Sequence, residues 1–198
     1  MDLGLKIVRR SSFKASPWKN GGGITHEAAR QPADGDRYRW RVSVAQIERS
    51  GPFSDFSGYR RKMALLRGSG LELRFGDGQQ LTLSRVGDLA EFDGAVPAQC
   101  NLLDGPCTDF NLIVANDATV AARVERLAGA IDVGASELET TLIFGIESAL
   151  DFTRSSGESA HLEPWDLAIL SGYYGRVVAP ANVGSATPSP VFFATISH

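Results

Sequence analysis

Histidine and cysteine are scarce in this chain: His26, His161 and His198 are its only histidines, and Cys100 and Cys107 its only cysteines, among 198 residues. A metal centre in a β-barrel commonly draws on histidines two apart on one strand, where the period of two aims both imidazoles the same way. No such pair occurs, and Glu27 next to His26 would point to the opposite face. Neither a metal nor a cofactor is expected. The cysteines, with six residues between them, match neither a Cys-x-x-Cys redox pair nor a zinc knuckle and read as small reduced residues of core or loop. Long hydrophobic runs are missing too, since no segment approaches the roughly 18 apolar residues of a membrane span. Met1 to Lys6 lacks the basic region and apolar run of a secretory signal, so the cytoplasm is the expected location and no membrane partner is expected. Charge of one sign is also absent: 20 Lys plus Arg face 23 Asp plus Glu, net charge is −3, and neither sign gathers into a block. A nucleic-acid partner, which asks for a basic surplus on one face, is excluded. Neither a Gly-x-Ser-x-Gly elbow nor a Gly-Lys-Ser/Thr phosphate loop occurs.

What the chain does have is 21 Gly and 9 Pro scattered between short, often alternating apolar runs. That pattern belongs to many short strands joined by turns, and the length suffices to bury about 70% of the unfolded surface without cross-links. From Tyr38 to Ala45, Tyr38, Trp40, Val42 and Val44 share one parity while Arg39, Arg41, Ser43 and Ala45 share the other, which predicts a half-buried strand. Asn116 to Leu127 fits helix and strand equally, because Val120, Val124 and Leu127 have helical spacing in a segment rich in β-branched residues. An internal repeat carries more information. Leu65-Leu66-Arg67-Gly68 through Leu71–Phe75 matches Leu142-Ile143-Phe144-Gly145 through Ser148–Phe152 at an offset of 77, and Asp88–Gly94 matches Asp166–Gly172 at an offset of 78. Two similar all-β units, each the size of a small barrel or jelly roll, are expected in tandem.

Chemistry concentrates in the first unit. Pro17-Trp18-Lys19-Asn20-Gly21-Gly22-Gly23 sets a cation, an amide and an indole beside three glycines, where backbone N–H groups can approach a small ligand; a plain glycine turn is the competing reading. Arg41 and Ser43 share a strand face with Ala45 that is too polar for an ordinary core and belongs either to solvent or to a barrel lumen holding an anion. Gly51-Pro52-Phe53-Ser54 and Phe56–Arg61 form an aromatic loop ending in two arginines, and Asn111 enters a strand after the Leu103–Pro106 turn. The corresponding part of the second unit offers Leu142, Ile143, Phe144, Leu167 and Leu170, and is expected to be packed shut.

The residues Pro17 to Gly23 with Thr25 and Glu27, Trp40-Arg41 with Ser43 and Ala45, and Gly51-Pro52-Phe53-Ser54 with Gly58 and Arg61 stand in order along the chain. Phe92 with Gly94, and Asp104-Gly105 with Asp109-Phe110-Asn111, continue the series to residue 111. Together they resemble the HutD/Ves family, the Trp-Lys-Asn-Gly-Gly-Gly segment being the specific part. The resemblance implies a bicupin: an all-β chain of two tandem cupin-like (double-stranded β-helix, jelly-roll) barrels. On this reading residues 1–112 form the barrel carrying the ligand pocket and residues 113–198 a mainly structural barrel. It further implies a cytoplasmic bacterial protein, linked in the HutD branch to histidine utilisation and in the Ves branch to stress responses, binding a small acidic metabolite such as urocanate or formylglutamate. Matched residue by residue, the pocket it implies is Lys19, Asn20, Thr25, Arg41, Arg61, Phe92 and Asn111. In one departure, relatives usually carry an acidic residue before the position of Arg61, where this chain has Arg60. Cupin barrels often pair through outer sheets, so a homodimer is among the implications.

Three readings of function follow. In the first, a metal-free binding or regulatory protein holds a small carboxylate on Arg41, Arg61, Lys19, Asn20 and the glycine-loop amides, walled by Trp18 or Phe92. In the second, an isomerase, lyase or hydrolase uses Lys19 or Glu27 as acid or base on the same molecule; no catalytic residue comes from the resemblance. In the third, an interaction module with no pocket binds another protein through an outer sheet face.

Overall fold

A computed structural model describes residues 4–154, 157–179 and 188–197, and in it the alternating runs pair into antiparallel strands. The first are β1 (Leu5–Val8), β2 (Lys14–Pro17) and β3 (Gly23–Gln31). Eight follow: β4 (Trp40–Ile47), β5 (Gly51–Pro52), β6 (Tyr59–Arg67), β7 (Leu71–Phe75), β8 (Gln80–Leu83), β9 (Leu89–Asp93), β10 (Ala98–Leu102) and β11 (Cys107–Ala115). Eight more complete the described chain: β12 (Thr119–Leu127), β13 (Ala130–Ala135), β14 (Glu139–Gly145), β15 (Leu150–Arg154), β16 (Ser159–Leu162), β17 (Leu167–Leu170), β18 (Tyr173–Val178) and β19 (Ser189–Ser197). Asn116–Leu127, open between helix and strand, is strand β12 from Thr119 on, where Val120, Ala122 and Val124 alternate with exposed Ala121 and Arg123.

The duplication extends over all eight strands of each set. In the first barrel the order β4-β11-β6-β9 belongs to one sheet and β5-β10-β7-β8 to the other; the second repeats this as β12-β19-β14-β17 and β13-β18-β15-β16. Each is a jelly roll, with β2 and β3 added beside β4 in the first and β1 added beside β17 in the second. Structural equivalence corrects the offset read from sequence. The hairpin bond from Phe75 N–H to Gln79 O has its counterpart from Arg154 N–H to Glu158 O, two residues beyond the offset of 77. In β6 and β14 the slip is three residues, since Ala64 opposite Leu89 corresponds to Phe144 opposite Leu167. A shift of two preserves alternation, and the continuously buried stretches of β6 and β14 have no alternation to preserve, so local similarity cannot hold the register that cross-strand bonds define.

The boundary also moves. Residue 112 lies within β11, which is hydrogen-bonded to β4 on one side and β6 on the other, so the first unit runs from Phe13 to Ala118. The second comprises the chain from Thr119 together with the stretch ending at Ser12. That stretch joins because β1 pairs with β17 from Leu5↔Leu170 to Val8↔Leu167, and Leu5 and Ile7 pack on the second barrel's core of Phe152, Phe193, Leu150 and Leu170. Arg9 then pairs with Asp166 at 2.8 Å and Arg10 stacks 4.3 Å over the ring of Trp165. Trp165 is at φ 70°, unusual for a side-chain-bearing residue, and its indole N–H donates to the Ile146 carbonyl at 2.7 Å. The first barrel has its own core, including Ile47, Met63, Leu71, Leu73 and Phe92. Both cysteines lie in that core, reduced.

Candidate functional site

The inner face of the first barrel's larger sheet is ordered in rows by its register. Arg41 pairs with Ile113 and Ile113 with Arg61; Ser43 pairs with Asn111 and Asn111 with Met63; Ala45 pairs with Asp109 and Asp109 with Leu65. With neighbouring strands about 4.8 Å apart, the backbones of Arg41 and Arg61 stand about 10 Å apart on either side of Ile113. These polar residues, the aromatic loop and the glycine segment enclose a cavity of about 500 Å³, within the range of small-molecule sites. The face of Arg41, Ser43 and Ala45 is thus lumen and not solvent, and β4 is covered on both faces, with Ser43 at 2% and Ala45 at 4% exposure. The half-buried strand expected here is corrected for that reason.

At the floor stands Arg61, 7% exposed. Its Nη2 donates to Asn111 Oδ1 at 2.5 Å, and its guanidinium carbon lies 5.0 Å from the ring centres of Phe53 and Phe56 and 5.1 Å from that of Phe92. Three rings replace part of the hydration that burial removes, yet burial still lowers the guanidinium's pKa to about 10. Its Nε is buried with no hydrogen-bond partner. Asn111 passes the chain on, donating from Nδ2 to Asp109 Oδ2 at 2.6 Å. The other carboxyl oxygen, Oδ1, is buried and unpartnered. Burial pushes Asp109 up to about 7 against the opposing influence of Arg61 and the bond from Asn111. The nearby thiols of Cys100 and Cys107 are raised by burial to about 12 and stay protonated.

Higher in the cavity, Arg41 Nε donates to Glu27 Oε2 at 2.6 Å, and Glu27 also faces Arg30 at 3.6 Å. A bulge in β3 at Ala28 allows this, because Glu27 lies opposite Ser43 while Arg30 lies opposite Arg41. The glycine segment forms the rim. Gly23 approaches β4 so closely that a Cβ would sit 2.3 Å from the Gln46 carbonyl oxygen and 3.2 Å from the Trp18 ring. Trp18 donates through its indole to Thr25 Oγ1 at 2.7 Å and meets Phe53 edge to face at 6.4 Å. Asn20 Oδ1 accepts from Gly22 N–H at 2.9 Å, which commits its oxygen to the loop. Across the aromatic loop, Phe56 N–H donates to the Gly94 carbonyl at 2.9 Å, holding the Phe56 ring over Arg61.

Six of the seven expected pocket residues, Lys19, Asn20, Thr25, Arg41, Arg61 and Asn111, line this one cavity. Phe92 does not: it is a core residue against Phe75, and its ring supports Arg61. Glu27 is likewise not in the lining and serves as the carboxylate partner of Arg41. Arg60 points away on the opposite parity, 60% exposed and 3.9 Å from Glu91, so its charge lies outside the cavity. Sequence reasoning did not single out Asp109 as a site residue. Its signal was the pair Asp109 and Asn111 at a spacing of two, on one face of a strand that continues as Leu112-Ile113-Val114-Ala115. His161 lies on the surface, 2.6 Å from Asp151, its cross-strand partner. Among the described residues no group of three or more His, Cys, Asp or Glu could hold a metal.

The second barrel differs at the same positions. Register places Thr141 where the first barrel has Arg61, Val191 at Asp109, Phe193 at Asn111 and Thr195 at Ile113. Phe193 and Val191 belong to its core, and Thr141 and Thr195 approach each other, Oγ1 to Oγ1, at 3.3 Å.

The profile of the HutD family matches residues 10–183. An uncharacterised 21.2 kDa protein of the hutC 3′ region of Pseudomonas putida is 36% identical over 169 residues, covering 85% of this chain and 87% of its own length. The protein Ves of Escherichia fergusonii is 33% identical over 97 residues, 48% of this chain and 50% of that one. Among solved structures, a conserved protein of unknown function from Pseudomonas aeruginosa superposes with a TM-score of 0.82 at 30% identity over 98% of this chain and 97% of its own. HutD from Pseudomonas fluorescens SBW25, in a formate condition, gives 0.78 at 27% over 98% and 99%. Oxalate decarboxylase, at 0.62 and 8%, over 96% of this chain and 76% of its own, shares the fold, and the barrels are cupin-like. A profile match of this extent, the hutC-region relative and the two whole-chain superpositions agree, and the chain belongs to the HutD family.

Proposed function

We propose that the first barrel binds a small carboxylate metabolite, with a regulatory or accessory role in histidine utilisation, in the cytoplasm and without a metal. Membership of the HutD family and a relative named for the hutC region support a role linked to histidine utilisation. The observation that carries the binding reading is the guanidinium of Arg61 on the cavity floor, buried but with Nε unpartnered. A buried charge is held there by one amide and three rings, and an anion supplies what is missing. Lys19 and Arg41 add positive charge along the wall, while the second barrel has hydroxyls and hydrocarbon in the equivalent rows. A polar cavity of this size argues against an interaction module without a pocket.

Titration calorimetry with N-formyl-L-glutamate, urocanate and other small acids tests the proposal. Micromolar binding is expected for at least one, with Arg61→Ala weakening it about 10- to 150-fold, the equivalent of one charge-assisted bond of about 1.5–3 kcal/mol. No heat from any acid, or unchanged affinity in a folded Arg61→Ala variant, overturns it. Catalysis on the same acid is the second reading. It moves from Glu27, which is occupied by Arg41, to Asp109, a carboxyl in the cavity raised to about 7. Turnover abolished in Asp109→Asn with binding intact would establish it.

A further inference from the structure

Two residues of the cavity lining, 7% and 1% exposed, each carry a buried polar atom without a partner, Arg61 Nε and Asp109 Oδ1. They are not paired with each other. Asn111 stands between them, accepting from Arg61 Nη2 and donating to Asp109 Oδ2. Arg61 therefore has no direct carboxylate partner among the described residues, and Asp109 has no direct cation. Both side chains line the same cavity, so a ligand seated on Arg61 shares that cavity with Asp109, on the other side of Asn111. If the ligand group is a carboxylate, two anions would share one dry floor, a strongly unfavourable arrangement unless one holds a proton.

We propose that Asp109 is the protonated partner of the bound carboxylate: Arg61 Nε–H and Asp109 Oδ1–H both donate to the ligand, and binding at alkaline pH takes up a proton from solvent onto Asp109. This rests on the binding reading above and adds to it the protonation state and the residue that sets it. The ligand class follows, because a group that only accepts hydrogen bonds satisfies both donors, whereas an ammonium or amide N–H facing Arg61 does not. The groups surrounding Asp109 fit the assignment. From β6 it meets Arg61; from β4 the opposite residue is Ala45, with Ser43 and Arg41 farther along; from β10 it meets Cys100; on β11 itself it has Asn111 and Cys107. The glycine segment contributes Lys19 to the same cavity. Asp109 is the one carboxylate in the cavity lining. Burial already raises it to about 7, and a neighbouring anion raises it further.

Calorimetry with N-formyl-L-glutamate, and with glutarate as second probe, reads the proton directly. For the parent, affinity is expected to fall about thirtyfold between pH 6 and pH 8.5, the dependence of a one-proton uptake on a group titrating near 7. At pH 8.5 the binding heat should also change between Hepes and Tris in proportion to the buffers' ionisation enthalpies, with a slope near one proton. In Asp109→Asn, whose amide donates without titrating, binding persists and both dependences vanish. Tight binding with no proton uptake, or a pH dependence unchanged in Asp109→Asn, overturns this assignment and leaves the binding reading standing. If neither acid binds at any pH, both are overturned.

Discussion

Asp109 has consequences for stability as well as for binding. Burial raises it from 3.8 to about 7, so between those values the folded chain holds a proton that the unfolded chain releases. Its contribution to stability is present at low pH and is lost as pH rises through about 7, the direction opposite to an ion-paired carboxylate. Asp109→Asn removes the cost of the buried charge. The unfolding free energy of the variant minus that of the parent, read from denaturant melts, is expected to grow from pH 5 to pH 8 by an amount on the order of 2 kcal/mol, and a difference that stays flat across this range contradicts the account. Arg61 is the complementary case, a cation kept charged in a dry place by Asn111 and three phenylalanines. Phe92, expected in the pocket, lies outside the cavity lining and supports it from behind through this guanidinium.

At the scale of elements, strand β3 and the loop before it are tied to β4 by the contact at Gly23. Gly23→Ala forces the strands apart at the cavity rim, and overpacking of this kind costs about 1–3 kcal/mol. Gly51→Ala is the control, because nothing lies within 4 Å of the added atom and its φ is not in the left-handed region. Thermal melts are expected to separate the two, and acid binding to weaken only in the first. The same elements show what could be seen in advance. Alternation in β4 and the repeated Gly, Phe and Asp landmarks exposed the β architecture and its duplication, since both rest on local pattern. The division after Ala118 and the place of β1 were not legible, because pairing Leu5 with Leu170 is a choice among many short apolar segments that only the assembled sheet makes. Six cavity residues were legible through family resemblance. The bulge at Ala28 that joins Glu27 to Arg41, and the floor pairing of Asp109 with Asn111, were not, since both depend on register.

Over the whole molecule, two copies of one architecture differ in the same few rows: a cationic floor at Arg61, Asn111 and Asp109, and a closed one at Thr141, Phe193 and Val191. Net charge is −3, so the cations of the cavity stand against an overall negative field, and the proposed acid binding rests on local neutralisation, not on long-range attraction. An acid at 100 times its dissociation constant stabilises the folded chain by about 2.7 kcal/mol, which for a chain of this size raises the melting temperature by about 5–10 °C. Scanning calorimetry should show that rise in the parent and its loss in Arg61→Ala. The position of β1 bears on synthesis. Its partner, β17, is synthesised roughly 160 residues after it. At about 5–20 residues per second, β1 waits roughly ten to thirty seconds, while the first barrel can close as soon as Ala118 emerges. The first unit can therefore complete its sheets while β1 still lacks its partner, so the two copies of the architecture need not finish folding together.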